Sequence, residues 1–201
     1  MFRKQKATVR GRTGQIVVPD KALLKGYLEE LGAGVLMEGD NRGPQAFFFF
    51  PDVHREVTDD QMVASIPLPE EAPFADYMGE DLELGLILIF TFLKARERAG
   101  NVGLYMEALP VPVLKPRLDI GLVFVNEWNA SHLLPRAVLS ENGQLWYTHL
   151  ILWKDGLSPA TFAAACDSFV GATIASLRGI YQNDPSPFLQ GCLSGDQGGE
   201  P

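Results

Sequence analysis

A chain of 201 residues, 46% hydrophobic and 21% charged, has the size and composition of one soluble globular domain with decorated loops, neither disordered nor fibrous. Its 25 acidic against 17 basic residues give a net charge of -8 and a pI near 4.9, which repels nucleic acid at long range and counts against a general DNA- or RNA-binding role. Two cysteines, Cys166 and Cys192, make neither a disulfide framework nor a metal-ligand spacing, a usage that fits a reducing cytoplasm.

The chain opens on "MFRKQKATVRGRTG", where Arg3, Lys4, Lys6, Arg10 and Arg12 stand without an acidic neighbour. Residues 1–18 are read as a basic, flexible arm that can touch phosphate or an acidic partner, although most such runs are solvated termini. No secretory signal is visible. The most hydrophobic run, Leu82 to Leu93, is interrupted by Glu83 and Gly85 and is far short of the ~20 residues of a membrane span. The expectation is a cytoplasmic protein without membrane contact.

Asp20 caps a predicted helix to about Leu31, because Leu23, Leu24, Tyr27, Leu28 and Leu31 recur at helical spacing and Gly32 follows as a left-handed stop. "GVLMEGDNRGPQAFFFFPDV" reads as strand, turn and strand around Gly39, Asp40, Asn41 and Gly43. Phe47 to Phe50 put rings on both faces of the second strand, which demands cover on both sides or an interface.

From Pro51 to Asp81 nine acidic residues and four prolines replace periodicity, apart from a strand-like "MVASIPLP", and the stretch reads as a long acidic loop or insertion. Even spacing of calcium ligands is absent from it. Leu84 to Ala95 and "VGLYMEAL" are read as a long β-hairpin about "RERAGN", since Ile87, Ile89, Phe90, Thr91 and Phe92 favour strand over helix.

Pro116 sits at the first turn of a second helix running to about Asn129. On it Leu118, Leu122, Val125 and Trp128 form a stripe, while Ile120, Val123 and Phe124 lie off that stripe. A helix apolar over more than half its circumference needs cover on two sides, one from the sheet and the other from a second subunit or from a larger monomeric core. "PRAVLSENGQLWYTHLILW" is a hairpin about Asn142-Gly143. Ser158-Pro159 then starts a long helix striped by Phe162, Cys166, Phe169, Thr173, Leu177 and Tyr181, which makes Cys166 a buried, inert thiol. The tail from residue 183 to 201 has the composition of a disordered end.

The order of elements gives an α+β fold, a mostly antiparallel sheet packed by helices, over residues 19–182 as a single domain with its acidic insertion at about 51–81. Catalytic signals are weak. There is no Gly-x-Ser-x-Gly elbow and no phosphate-binding glycine loop. His54, His132 and His149 show no metal-ligand spacing, and Glu127 and His132 fall on different sides of a helix. No catalytic residue, metal or cofactor is assigned. A hydrolase would need those histidines to meet carboxylates or Cys166 in space, and a nucleic-acid accessory protein would need the basic arm.

The run "NEWNASHLLPRAVLSENGQLWYTHLILWKDGLSPATF" resembles the YbjN-like proteins of bacteria in Asn126, Trp128, Asn129, Pro135, Ala137, Asn142, Gly143, Gly156 and Ser158. "MEGDNRGPQAFFFF" is similar to that family's first hairpin. The resemblance implies a fold like that of type III secretion chaperones, small acidic proteins that usually dimerise and hold extended segments of partners, and it implies no catalytic residues. The acidic stretch, the basic arm and the tail depart from it, and similar fold is not similar function. The expectation is a non-enzymatic, chaperone-like homodimer that captures a flexible segment of another protein. Its interface candidates are Ile120, Val123, Phe124, Trp128, Phe48, Phe50, Phe90 and Phe92.

Overall fold

The computed structural model describes residues 9, 14–40, 45–50, 53–67, 85–96, 100–110, 117–140 and 143–183, with backbone only at 45–50, 53–55, 85, 110, 181 and 183. The basic residues of the arm, Asn142 and the tail beyond 183 lie outside the described residues.

Helix α1 is Lys21–Glu30, where the sequence places it. The Asp20 carboxylate accepts the Leu23 N–H at 2.9 Å, satisfying one of the donors that a helix start leaves unpaired. Gly32 takes φ 71° and closes the helix, its N–H and that of Ala33 reaching Glu29 O and Leu28 O. Leu24, Tyr27 and Leu28 form the buried face.

The strands are β1 (Gly34–Glu38), β2 (Gln45–Phe50), β3 (Val53–Val57), β4 (Gln61–Pro67), β5 (Gly85–Lys94), β6 (Asn101–Pro110), β7 (Arg136–Leu139) and β8 (Leu145–Leu152), with helices α2 (Leu118–Ser131) and α3 (Pro159–Asn183). Six strands form an open antiparallel sheet in the order β1-β4-β5-β6-β8-β7, and β2 and β3 form a separate pair. The α+β expectation stands. So do both later hairpins: β5 neighbours β6, and β7 pairs with β8 from Arg136 opposite Thr148 to Leu139 opposite Leu145. At the second turn Gly143 has φ 78°, and Ser140 and Gln144 hold its two sides together through backbone and hydroxyl hydrogen bonds.

Two expectations need correction. β1 and β2 are not a hairpin: β1 pairs with β4, Gly34 opposite Ser65, and β2 pairs with β3, Gln45 opposite Val57. Residues 51–81 are also not one long loop, because β3 and β4 fall inside that stretch. Val63, Ala64 and Ile66 bury β4 beside β5, so apolar side chains at its centre outweigh the acidic residues around it.

By its contacts the chain divides into two units, one from Met1–Ile66, Ile89–Met106 and Leu150–Ser168, the other from Pro67–Leu88, Glu107–His149 and Phe169–Pro201. In the first, Tyr27 meets Phe162 edge to face, with centroids 6.5 Å apart, and donates its hydroxyl hydrogen to Asp167 Oδ1 at 3.1 Å. The segment before α1 joins this unit by a bridge in which Val17 and Leu157 exchange hydrogen bonds of 3.0 and 2.8 Å. In the second, the Tyr147 hydroxyl bonds Ser176 Oγ at 2.6 Å and His149 stacks on Phe169.

Phe162, Cys166, Phe169, Thr173 and Leu177 make the buried stripe of α3 that the sequence spacing predicts. Residues Pro159–Ile180 are, among the described residues, the helix long and apolar enough to cross a membrane, and that stripe is equally what a core helix requires.

A candidate interaction surface on helix α2

α2 is the anomaly of the fold. Of its fourteen residues only Gly121 is buried, although seven are large and apolar. Leu118, Leu122 and Val123 are 56%, 48% and 57% exposed, and Ile120, Phe124, Val125 and Trp128 are half-buried. Asp119 supplies the acid expected in a first turn, and Arg117 pairs with it at 3.1 Å. The N-cap residue Arg117 makes no side-chain capping hydrogen bond, and the helix is held by one narrow face rather than by a buried stripe.

That face is built from the C-terminal residues of α2. The Trp128 Nε1–H donates to Pro135 O at 2.8 Å, and its ring meets Tyr147 edge to face at 6.0 Å. Phe124 stacks on Trp128 at 6.2 Å, and Trp128 on His132 at 3.8 Å, so three rings four residues apart run along the helix. Trp128 anchors the helix to the sheet.

The sequence reading ends α2 at about Asn129, but the structure gives that residue another place. The helix continues to Ser131 and ends at His132, so Asn129 does not cap it. Its side chain crosses to β7, where Nδ2 donates to Ala137 O at 2.8 Å and Oδ1 accepts the Ala137 N–H at 2.9 Å. A side-chain amide in that position is invisible to periodicity, because its partner lies beyond a connection of irregular residues. The available signal is the spacing Trp128-Asn129 to Pro135-x-Ala137, in which each side chain of one pair serves a backbone group of the other.

The exposed apolar residues continue beyond α2. Leu133 is 84% exposed, and Leu134 and Val138 are open on the connection and on β7. On α2 itself Leu118, Leu122 and Val123 are exposed within two turns of one helix, and clustered exposed apolar residues of this kind mark docking sites where scattered single ones do not.

The interface candidates divide accordingly. Val123 is exposed, and Ile120, Phe124 and Trp128 are half-buried. Phe90 and Phe92, expected as interface residues, are 0% and 2% exposed and belong to the core, because β5 is an interior strand buried at every residue from Leu86 to Phe90. Phe48 and Phe50 lie in β2, where side chains fall outside the described residues.

Chemistry has little to work with. Ser131 Oγ approaches His132 Nδ1 at 2.9 Å, but that hydroxyl also turns back on the Glu127 and Trp128 carbonyls as a helix-end side chain does. No carboxylate of the described residues bonds the His132 ring. His149 is half-buried against Phe169, and burial pulls its pKa below the ordinary value. Burial first, and then the neighbouring Asp167 carboxylate, push the Cys166 thiol far up, opposite to what a nucleophile needs. Among the described residues no three His, Cys, Asp or Glu side chains lie close enough to hold a metal ion.

Among the described residues, cavities open in the first unit. One, of about 330 Å³, lies between Val9, Val17, Val18 and the Ala22, Leu23 and Gly26 side of α1, where Asp20 is engaged as the helix cap. Another, of about 290 Å³, is rimmed by an Asp59–Lys94 ion pair at 3.6 Å and by Asn101, whose amide donates to Pro19 O.

Residues 88–179 match the YbjN family model, described as "Putative bacterial sensory transduction regulator". The matched stretch runs from β5 into α3 and contains the whole of α2, β7 and β8. No curated protein and no solved structure matches the chain.

Proposed function

We propose, on the premise that the chain is YbjN-like through residues 88–179 and that this family is described as a regulator rather than an enzyme, that it is a cytoplasmic protein-binding module. It works as a homodimer through the exposed face of α2 and captures a flexible segment of a partner protein in the manner of a chaperone. One observation carries the reading: α2 bears seven large apolar side chains and buries none of them completely. An apolar helix gains stability from covering such a face, which supports assigning the cover to a second chain. A two-fold pairing places the same patch on both subunits and needs no second complementary surface.

Sedimentation equilibrium over a range of concentrations tests the dimer. The chain mass is 22.1 kDa, and the wild type is expected at twice that value. Val123→Asp should halve the mass while the far-ultraviolet circular dichroism stays unchanged. A wild type that sediments as a monomer at every concentration, or a Val123→Asp variant that remains a dimer, contradicts the reading.

A further inference from the structure

The six-stranded sheet has two outer strands, β1 and β7, and they meet solvent differently. An outer strand presents a row of unpaired N–H and C=O groups, which is a template for pairing with another chain. β1 carries a register shift between Val35 and Met37, an irregularity that breaks the flat, even pairing an edge would offer. β7 has four residues and a regular register with no bulge. Its protection comes from elsewhere.

In an antiparallel ladder the N–H and C=O of one residue point to the same side of the strand. Both groups of Ala137 are taken by the Asn129 amide, so both point away from β8, toward the free edge. A carboxamide offers one donor and one acceptor on neighbouring atoms, as a residue of an adjoining strand does. Asn129 thus occupies the place that one residue of a seventh strand would take.

We propose that Asn129 closes a strand-accepting edge on β7, and that what it holds off is the β7 edge of a second copy. The β7 sequence is compatible with itself in that arrangement. Antiparallel pairing about Ala137 sets Arg136 of one copy opposite Val138 of the other, so no like charges face, and the strand carries no acidic residue in a chain of net charge -8. Besides the two amide hydrogen bonds, the Trp128 bond to Pro135 O and the Trp128 ring on Tyr147 hold α2 on this side. The edge is distinct from the exposed outer face of α2, and the inference does not depend on that face pairing.

Asn129→Leu keeps the branched shape of the side chain but removes both hydrogen bonds, leaving the Ala137 N–H and C=O without these partners. The variant should show a weight-average mass that climbs with concentration to at least twice the wild-type value, with Ala137 slower in amide exchange at high concentration than at low. Adding Trp128→Phe, which keeps the ring and deletes the bond to Pro135 O, should move that rise to lower concentration. Adding Val138→Lys instead should return the mass to the wild-type value, since lysine on a free edge blocks strand pairing. Should Asn129→Leu not fold, Asn129→Asp is the substitute: it keeps the acceptor, loses the donor to Ala137 O, and should give a smaller rise of the same kind. Folded variants that only lose stability, with the wild-type mass at every concentration, overturn the proposal. So does association that Val138→Lys leaves untouched. Because every readout is relative to the wild-type mass, the result is the same whether the wild type is a monomer or a dimer.

Discussion

The hydroxyl of Tyr147 on β8 and the hydroxyl of Ser176 on α3 lie 2.6 Å apart, both buried, and each is the recorded partner of the other. Burial pushes the Tyr147 hydroxyl well above its ordinary pKa, and the bond to Ser176 only partly offsets that, so the phenol stays protonated throughout the physiological range. Tyr147→Phe leaves the Ser176 oxygen without this partner and should lower unfolding stability by about 1–3 kcal/mol. Ser176→Ala in the same background removes the orphaned group and should restore part of the loss. Urea denaturation of the single and double variants measures both.

His149 sets a pH dependence. Its pKa in the folded protein lies below the ordinary 6.5, because burial disfavours the charged ring. The unfolded chain therefore binds a proton more readily, and the stability contributed by neutral His149 is present above about 6.5 and declines as pH falls below it toward the folded value. Denaturation midpoints between pH 7.5 and pH 5 should fall for the wild type and fall less for His149→Gln. Equal slopes would rule out His149 as the source.

Cys166 should be silent in the folded protein. It is fully buried in the α3 stripe, and burial keeps the thiol from forming the reactive thiolate. With Cys192 replaced by Ser, a maleimide at pH 7 should label the native protein no faster than it unfolds, and label it completely in urea. Prompt labelling without denaturant would show that α3 does not hold Cys166 as described.

Gly156 and Gly171 should respond to alanine in opposite directions. Gly156 has φ 112°, and a Cβ there would lie 2.3 Å from the Val17 carbonyl oxygen, a backbone atom of the Val17–Leu157 bridge. Gly156→Ala should cost about 1–3 kcal/mol in strain and disturb the bridge. Gly171, inside α3 with nothing within 4 Å of the added atom, should gain about 0.5–1 kcal/mol as Ala. Thermal or urea unfolding separates the two.

Much of this architecture is legible in the sequence, and what is legible is local. Asp20 and Gly32 bracket α1, Gly143 marks the β7–β8 turn, and the spacing from Phe162 to Leu177 outlines α3, because caps, turns and stripes act over a few residues. The pairing of β1 with β4 across more than twenty residues leaves no such trace, and proximity in sequence wrongly suggests β1 with β2. Phe90 and Phe92 are apolar whether they face a core or a partner, so only the position of β5 inside the sheet assigns them. At the candidate surface, the excess of apolar residues on α2 is legible as a demand for cover, and Val123 as part of it. The role of Asn129 is not, since one polar residue near a helix end reads equally as a cap.

The central claim is that the exposed face of α2 docks on the same face of a second copy. A photoreactive benzophenone amino acid in place of Leu122 tests it most directly, by irradiation and mass-spectrometric mapping of the product. The account expects a covalent species of twice the chain mass, with the cross-link joining position 122 to residues 118–131 of the other copy. A chain that stays at single mass after irradiation at any concentration, or a cross-link that maps to another surface, would contradict it.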